Sequence, residues 1–145
     1  MKSNKFLNKD QQARIVEAIK QAELNTSGEI RVYVESACKI NVLDRAVYIF
    51  KELGMFKTKA RNGVLIYIAY DAHKFAIIGD EGINRVVPDN FWDDAKSAMG
   101  ESFSKGDFPG GICTAIGMVA ENLKAFFPYS DDDENEQPDE ISFGK

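Results

Sequence analysis

Four oxygen-bearing side chains in this 145-residue chain stand where apolar runs begin or end: Glu29, Asn62, Asp80 and Glu81. Asn62-Gly63 opens the run Val64-Leu65-Ile66-Tyr67-Ile68-Ala69-Tyr70, and Phe75-Ala76-Ile77-Ile78 returns to Gly79-Asp80-Glu81-Gly82. Glu29 opens another run, in which Ile30, Val32 and Val34 alternate with Arg31, Tyr33 and Glu35, the period of a strand. Three carboxylates and one amide form a hard donor set of the kind Ca2+ or Mg2+ prefers. Calcium takes roughly six to eight oxygens, so carbonyls and water would complete the shell. The plainer reading is turn chemistry at Asn62-Gly63 and Asp80-Glu81-Gly82, with Glu29 paired to Arg31 on its own strand face.

The elements around these residues decide whether they can meet. Asn8 with Gln11 forms a capping-box pattern, and Ile15, Ile19 and Ala22 mark the buried face of the helix that follows. After the strand at 29–35, helical period returns from Asn41, with Leu43, Val47, Phe50 and Leu53 as the expected inward stripe and Gly54 as its stop. The 63–70 run is apolar on both faces and belongs at the centre of a sheet. Asp71-Ala72-His73-Lys74 is a turn, and the 75–79 run pairs back as a hairpin. A helix over about 90–103 turns Phe91, Ala95, Ala98 and Phe103 inward; the last helix carries Ile112, Ala115, Ile116, Val119, Ala120 and Leu123. The order is α-β-α-β-β-α-α, an α/β fold with helices on both faces of a small mixed sheet. The first two strands, joined by a helix, run parallel, and the third is antiparallel. Glu29, Asn62 and Asp80 then fall at the same end of the sheet.

Composition narrows the function classes. The last 17 residues, 129–145, hold seven acids and one lysine, whereas residues 1–128 hold 17 basic and 16 acidic side chains. The body is nearly neutral and offers no basic face for nucleic acid. We read residues 1–128 as one domain and 129–145 as a disordered acidic tail able to dock a protein partner. Asp131-x-Asp133-x-Asn135 mimics the opening of an EF-hand loop, but Glu136 and Ser142 stand where that loop needs Gly and Glu. Cys38 and Cys113 have no metal-ligand spacing and read as free thiols. No run reads as a signal peptide, transmembrane helix or membrane anchor, so the expectation is a cytoplasmic protein.

Other candidates carry weaker chemistry. Asp89, Asp93 and Asp94 begin near the proposed site but suit a helix's first turn. Asp107 before Phe108-Pro109 reads as an N-cap. Lys57, Lys59 and Arg61 could hold a phosphate beside Asn62, and Phe91 and Trp92 read as packing. His73 lies in a turn at the end of the sheet away from Asp80, so no Ser-His-acid set forms around the site.

The stretches Thr26-Ser27-Gly28-Glu29-Ile30-Arg31-Val32, Asn62-Gly63-Val64-Leu65, Gly79-Asp80-Glu81-Gly82-Ile83 and Phe103-x-x-Gly106-Asp107-Phe108 occur in the order found in TPM domains, and residues 7–128 resemble that family. The stretch Pro138-Asp139-Glu140-Ile141-Ser142-Phe143-Gly144 resembles the tail of a short bacterial subgroup. The resemblance implies a three-layer α/β/α sandwich. It includes lumenal or membrane-anchored photosystem II repair factors, described as acid phosphatases and as calcium-binding. Carried over by position, Glu29, Asn62 and Asp80 match the family's acidic site, with Glu81 adjacent. The expected function is a Ca2+- or Mg2+-binding module acting in binding or assembly. The alternative is a metal-dependent phosphatase using the same acids. The lack of a signal peptide and anchor departs from the lumenal relatives and counts against their repair role.

Overall fold

The computed structural model describes residues 6–129 and 137–144. The elements are α1 (Lys9–Ala22), β1 (Glu29–Glu35), α2 (Val42–Glu52), a 3-10 turn at Met55–Lys57, β2 (Gly63–Ala69), β3 (Lys74–Gly79), α3 (Glu81–Asn84), α4 (Asp93–Ser104), α5 (Phe108–Leu123) and β4 (Ser142–Phe143). The sheet order is β3-β2-β1-β4. β1 is parallel to β2, with Glu29 opposite Gly63, and β3 is antiparallel to β2, as the element order required.

Strand alternation builds two cores. Ile30, Val32, Val34, Val64, Ile66, Ile68 and Ile77 face one side and pack under α1, α4 and α5. Leu65, Tyr67, Ala69 and Ala76 face the other and pack under α2. All seven residues of β2 are buried, which makes it the central strand. At its start α1 carries the expected reciprocal cap, Asn8 Oδ1 accepting from Gln11 N and Gln11 Oε1 from Asn8 N. Among the described residues no helix is long and apolar enough to cross a membrane.

Three sequence expectations are corrected. The inward stripe of α2 is Ala46, Ile49 and Phe50, whereas Leu43 and Val47 are 52% and 43% exposed. The small Ala46 lets the helix lie close to the sheet, which rolls Leu43 and Val47 outward. On α4, Met99 is fully buried and Ala98 only partly, and the helix begins at Asp93 rather than near 90. The third correction concerns the tail. Residues 137–144 are ordered against β1, where Ser142 and Phe143 pair parallel with Tyr33 and Val34. The acidic composition hid a short segment whose hydrogen bonds go to β1 and whose Ile141 and Phe143 pack on the core. The rest of the expected disordered tail at 130–136, including the EF-hand-like Asp131–Asn135, lies outside the described residues.

Candidate functional site

β1, β2 and β3 deliver Glu29, Asn62 and Asp80 to one end of the sheet, but they do not converge on a point. Asp80 ends β3 and caps α3, its Oδ1 accepting from Glu81 N at 2.8 Å. Its carboxylate, 5% exposed, is held by Arg61 through two bonds, Nε to Oδ2 at 2.7 Å and Nη2 to Oδ1 at 2.9 Å. Arg61 Nη1 also donates to Glu81 Oε1 at 3.0 Å, and Arg85 reaches the same oxygen at 3.1 Å. The Arg61 backbone has φ of 50°, a left-handed conformation uncommon for a side chain of this size. Gly82 makes that loop possible: its N–H donates to the Arg61 carbonyl, and a Cβ there would stand 2.2 Å from the Ala60 oxygen.

This ion pair forms one wall of a cleft of about 600 Å3 lined by Val47, Phe50, Phe56 and Ile78, with Lys51 and Arg61 adding positive charge. The volume falls in the range of ligand pockets. The outward roll of α2 is what leaves Val47 in the cleft wall.

Glu29 shares the face of Asp80 but is two strands away, a lateral distance of roughly 10 Å. Gly63 lies between them, and the space over it is filled: a Cβ at 63 would be 3.1 Å from the Met55 oxygen and 3.6 Å from Phe50 Cζ. Glu29 is 5% exposed, and its Oε1 accepts from Gln137 N at 2.9 Å. Nearby, the Glu23 carboxyl is pushed up to about 9 by burial, by its hydrogen bond and charge interaction with Asp139, and by the charge of Glu29. Asn62, 2% exposed, donates Nδ2 to the Ser27 carbonyl at 3.0 Å. Its Oδ1 is buried without a hydrogen-bond partner among the described residues. The structure thus joins Asp80 and Glu81 around Arg61 and gathers Glu29 with Glu23, Asp139 and Gln137. Among the described residues, no three His, Cys, Asp or Glu side chains are grouped to hold a metal ion.

The remaining candidates are placed as follows. Asp94 accepts from Ala95 N and from Asn122 of α5, tying two helices together. Asp107 caps α5 through Gly110 N at 3.0 Å, and Asp89 and Asp93 are exposed. Lys57 lies over the Phe56 ring, and Arg61 pairs with Asp80. Phe91 and Trp92 pack edge to face on the core. Both cysteines are free, and His73 sits in the β2–β3 turn, at the end away from Asp80. Sequence reasoning missed Arg61 as the partner of Asp80, as well as Glu23 and Gln137 beside Glu29. A basic residue directly before Asn62 was the only trace of the first; Glu23 lies close to Glu29 in sequence but outside the strand, and Gln137 reaches Glu29 across 108 residues.

Comparison with known proteins follows this geometry. The model of the TPM domain matches residues 1–122. The fold is similar to the NMR structure of the BA42 protein from the psychrophilic bacterium Bizionia argentinensis, at 45% identity and TM-score 0.92, covering 97% of each chain. It is also similar to the N-terminal domain of a P. gingivalis protein, at 17% identity and TM-score 0.68, over 84% of this chain and 79% of that one. An N-terminal domain from Corynebacterium glutamicum matches at 14% identity and TM-score 0.64, over 96% and 80%. These last two likenesses concern the fold alone. No curated protein matches the chain.

Proposed function

This chain belongs to the TPM domain family, and we propose that it is a binding module whose Asp80–Glu81 edge takes a divalent cation, Ca2+ or Mg2+, at the mouth of the Val47–Ile78 cleft. The observation that carries this reading is the Asp80 carboxylate, nearly buried beside the cleft and balanced by the partly exposed Arg61 side chain. Two carboxylates that share one guanidinium offer hard oxygens to a cation once Arg61 swings out. Mg2+ is commonly held by one or two carboxylates with water completing its shell, so the pair suffices as a starting set. Glu29, at the same sheet end but roughly 10 Å away across the filled space over Gly63, would add negative potential and no ligand. When bound, the cation would supply positive charge beside the apolar cleft, which suits an acidic group on a docked partner or ligand. The family's phosphatase alternative would place a phosphate oxygen there instead.

The test is a Ca2+ and Mg2+ titration followed amide by amide in NMR spectra. The expected result is a saturable shift centred on Arg61–Gly63 and Gly79–Gly82, lost in Asp80→Asn while the fold is kept. Shifts confined to residues 131–140 would sink the reading, since the tail would then be acting as a counter-ion sink. Hydrolysis of an aryl phosphate that needs cation and Asp80 would replace the binding reading with the phosphatase.

A further inference from the structure

The outer edge of β1 is occupied by residues 137–144 through contacts specific to side chains. Gln137 donates its backbone N–H to Glu29 Oε1 and accepts from Arg31 Nη1 at 3.1 Å, and its Nε2 faces the Gly54 carbonyl at 3.5 Å. Ser142 Oγ accepts from Arg31 Nη2 at 2.8 Å. Gly144 N donates to the Val34 carbonyl at 2.8 Å, and a Cβ there would stand 2.6 Å from Glu35 Cβ and 2.9 Å from the Tyr33 hydroxyl. Asp139 meets Glu23, and Ile141 and Phe143 pack on the core. The groove therefore selects an amide, a small hydroxyl and a glycine at fixed positions along one extended strand.

Two features set this segment apart from an integral strand. Its regular pairing spans two residues, Ser142 and Phe143, against a seven-residue β1, so most of that edge is read by side chains rather than by a backbone ladder. It is also joined to the body by only seven residues, 130–136. A connection this short gives an effective concentration on the order of mM, the level a competitor must match.

We propose that the outer edge of β1 is a strand-accepting groove for an extended peptide of a partner protein that presents a glutamine, a small hydroxyl and a glycine, with the chain's own residues 137–144 as a resident occupant that the partner displaces. Such recognition is strand addition to a sheet edge, in which backbone bonds give affinity and alternate side chains give specificity. The fitting partner carries a glutamine, a serine or threonine five residues on and flanked by apolar residues, and a glycine two residues after the hydroxyl. The groove's receptors are Glu29, Arg31, Tyr33 and Val34.

The experiment uses the full chain and a synthetic peptide of residues 137–144. Gly144→Val should unseat the segment: hydrogen exchange at 137–144 rises at least tenfold while β2 stays protected. The peptide should then bind this variant at least tenfold more tightly than the wild type, shifting the Arg31–Val34 amides. A peptide with valine in place of its glycine should not bind. For a variant that does not fold, isotope-labelled wild type with unlabelled peptide at several times the mM effective concentration gives the same answer. The labelled Gln137 and Gly144 amides should move to their free positions. Amides of 137–144 that stay fixed under that excess overturn the proposal, as does an unseated variant that takes up no peptide.

Discussion

The Arg61 guanidinium meets the Asp80 carboxylate side-on, Nε and Nη2 each facing one oxygen at 2.7 and 2.9 Å. Arginine's planar fork matches a carboxylate in a way lysine's point charge does not. If a cation takes the same oxygens, Arg61 competes with it. Arg61→Gln should raise Ca2+ affinity by roughly thirtyfold, the Coulomb effect of one positive charge on a divalent cation about 4 Å away in water. Arg61→Lys should lie nearer the wild type. Isothermal titration would read both, and equal affinities in all three proteins would show that Arg61 and the cation do not share Asp80.

Gly82 is the glycine whose replacement should cost most. A methyl group there would press on the Ala60 and Arg61 carbonyl oxygens, at 2.2 and 2.6 Å. Gly82→Ala should lose about 2–3 kcal/mol, the usual cost of forced overpacking. Gly117, on the exposed face of α5, has nothing within 4 Å of its would-be Cβ. Gly117→Ala should gain about 0.5–1 kcal/mol from helix propensity. Urea midpoints at constant slope measure both.

Glu23 supplies a pH signature. Burial, Asp139 and Glu29 raise its carboxyl from 4.5 to about 9, so the folded state binds a proton that the unfolded chain gives up. This contribution is fully present below about 4.5 and is lost as pH rises through about 9. Glu23→Gln keeps a donor toward Asp139 and does not titrate. Its stability should fall less steeply than the wild type's across that window, in urea melts taken at successive pH values. Parallel curves would remove Glu23 as the source.

At the opposite end of β1, Glu35 accepts from Arg45 Nε and Nη2 at 2.8 and 2.9 Å and from the Tyr67 hydroxyl. Burial alone would raise the Glu35 carboxyl, but these donors outweigh it and hold it below the usual range. Tyr67 is fully buried, so Tyr67→Phe removes one donor without opening a cavity. The expected loss is about 1.5–3 kcal/mol, typical of a hydrogen bond to a charged group. A stability equal to that of the wild type would mean Arg45 satisfies Glu35 alone.

Strand direction was legible from the order of elements, and it placed Glu29, Asn62 and Asp80 at one sheet end correctly. Direction does not give lateral distance, and the filling of Gly63 by Met55 comes from a turn whose packing has no periodic signature. The Leu43–Val47 stripe failed because α2 has more apolar residues than its buried face needs, and Ala46 decided which face turned inward. The C-terminal strand was missed because two residues are too few to show a period, and its neighbours are acidic. Arg61 and Asp80 were each visible, but a left-handed residue in a basic loop gives no sequence sign of its partner.

The placement of Gly144 against Val34 and Glu35 also sets an order of events during synthesis. Residues 29–35 emerge from the ribosome more than a hundred residues before the segment that covers them. Domains fold from their N-terminal parts as the chain is made. Every newly made copy therefore passes through an interval in which its sheet can pair while the outer rim of β1 is bare. A chaperone or nascent neighbour meets that rim before residues 137–144 do.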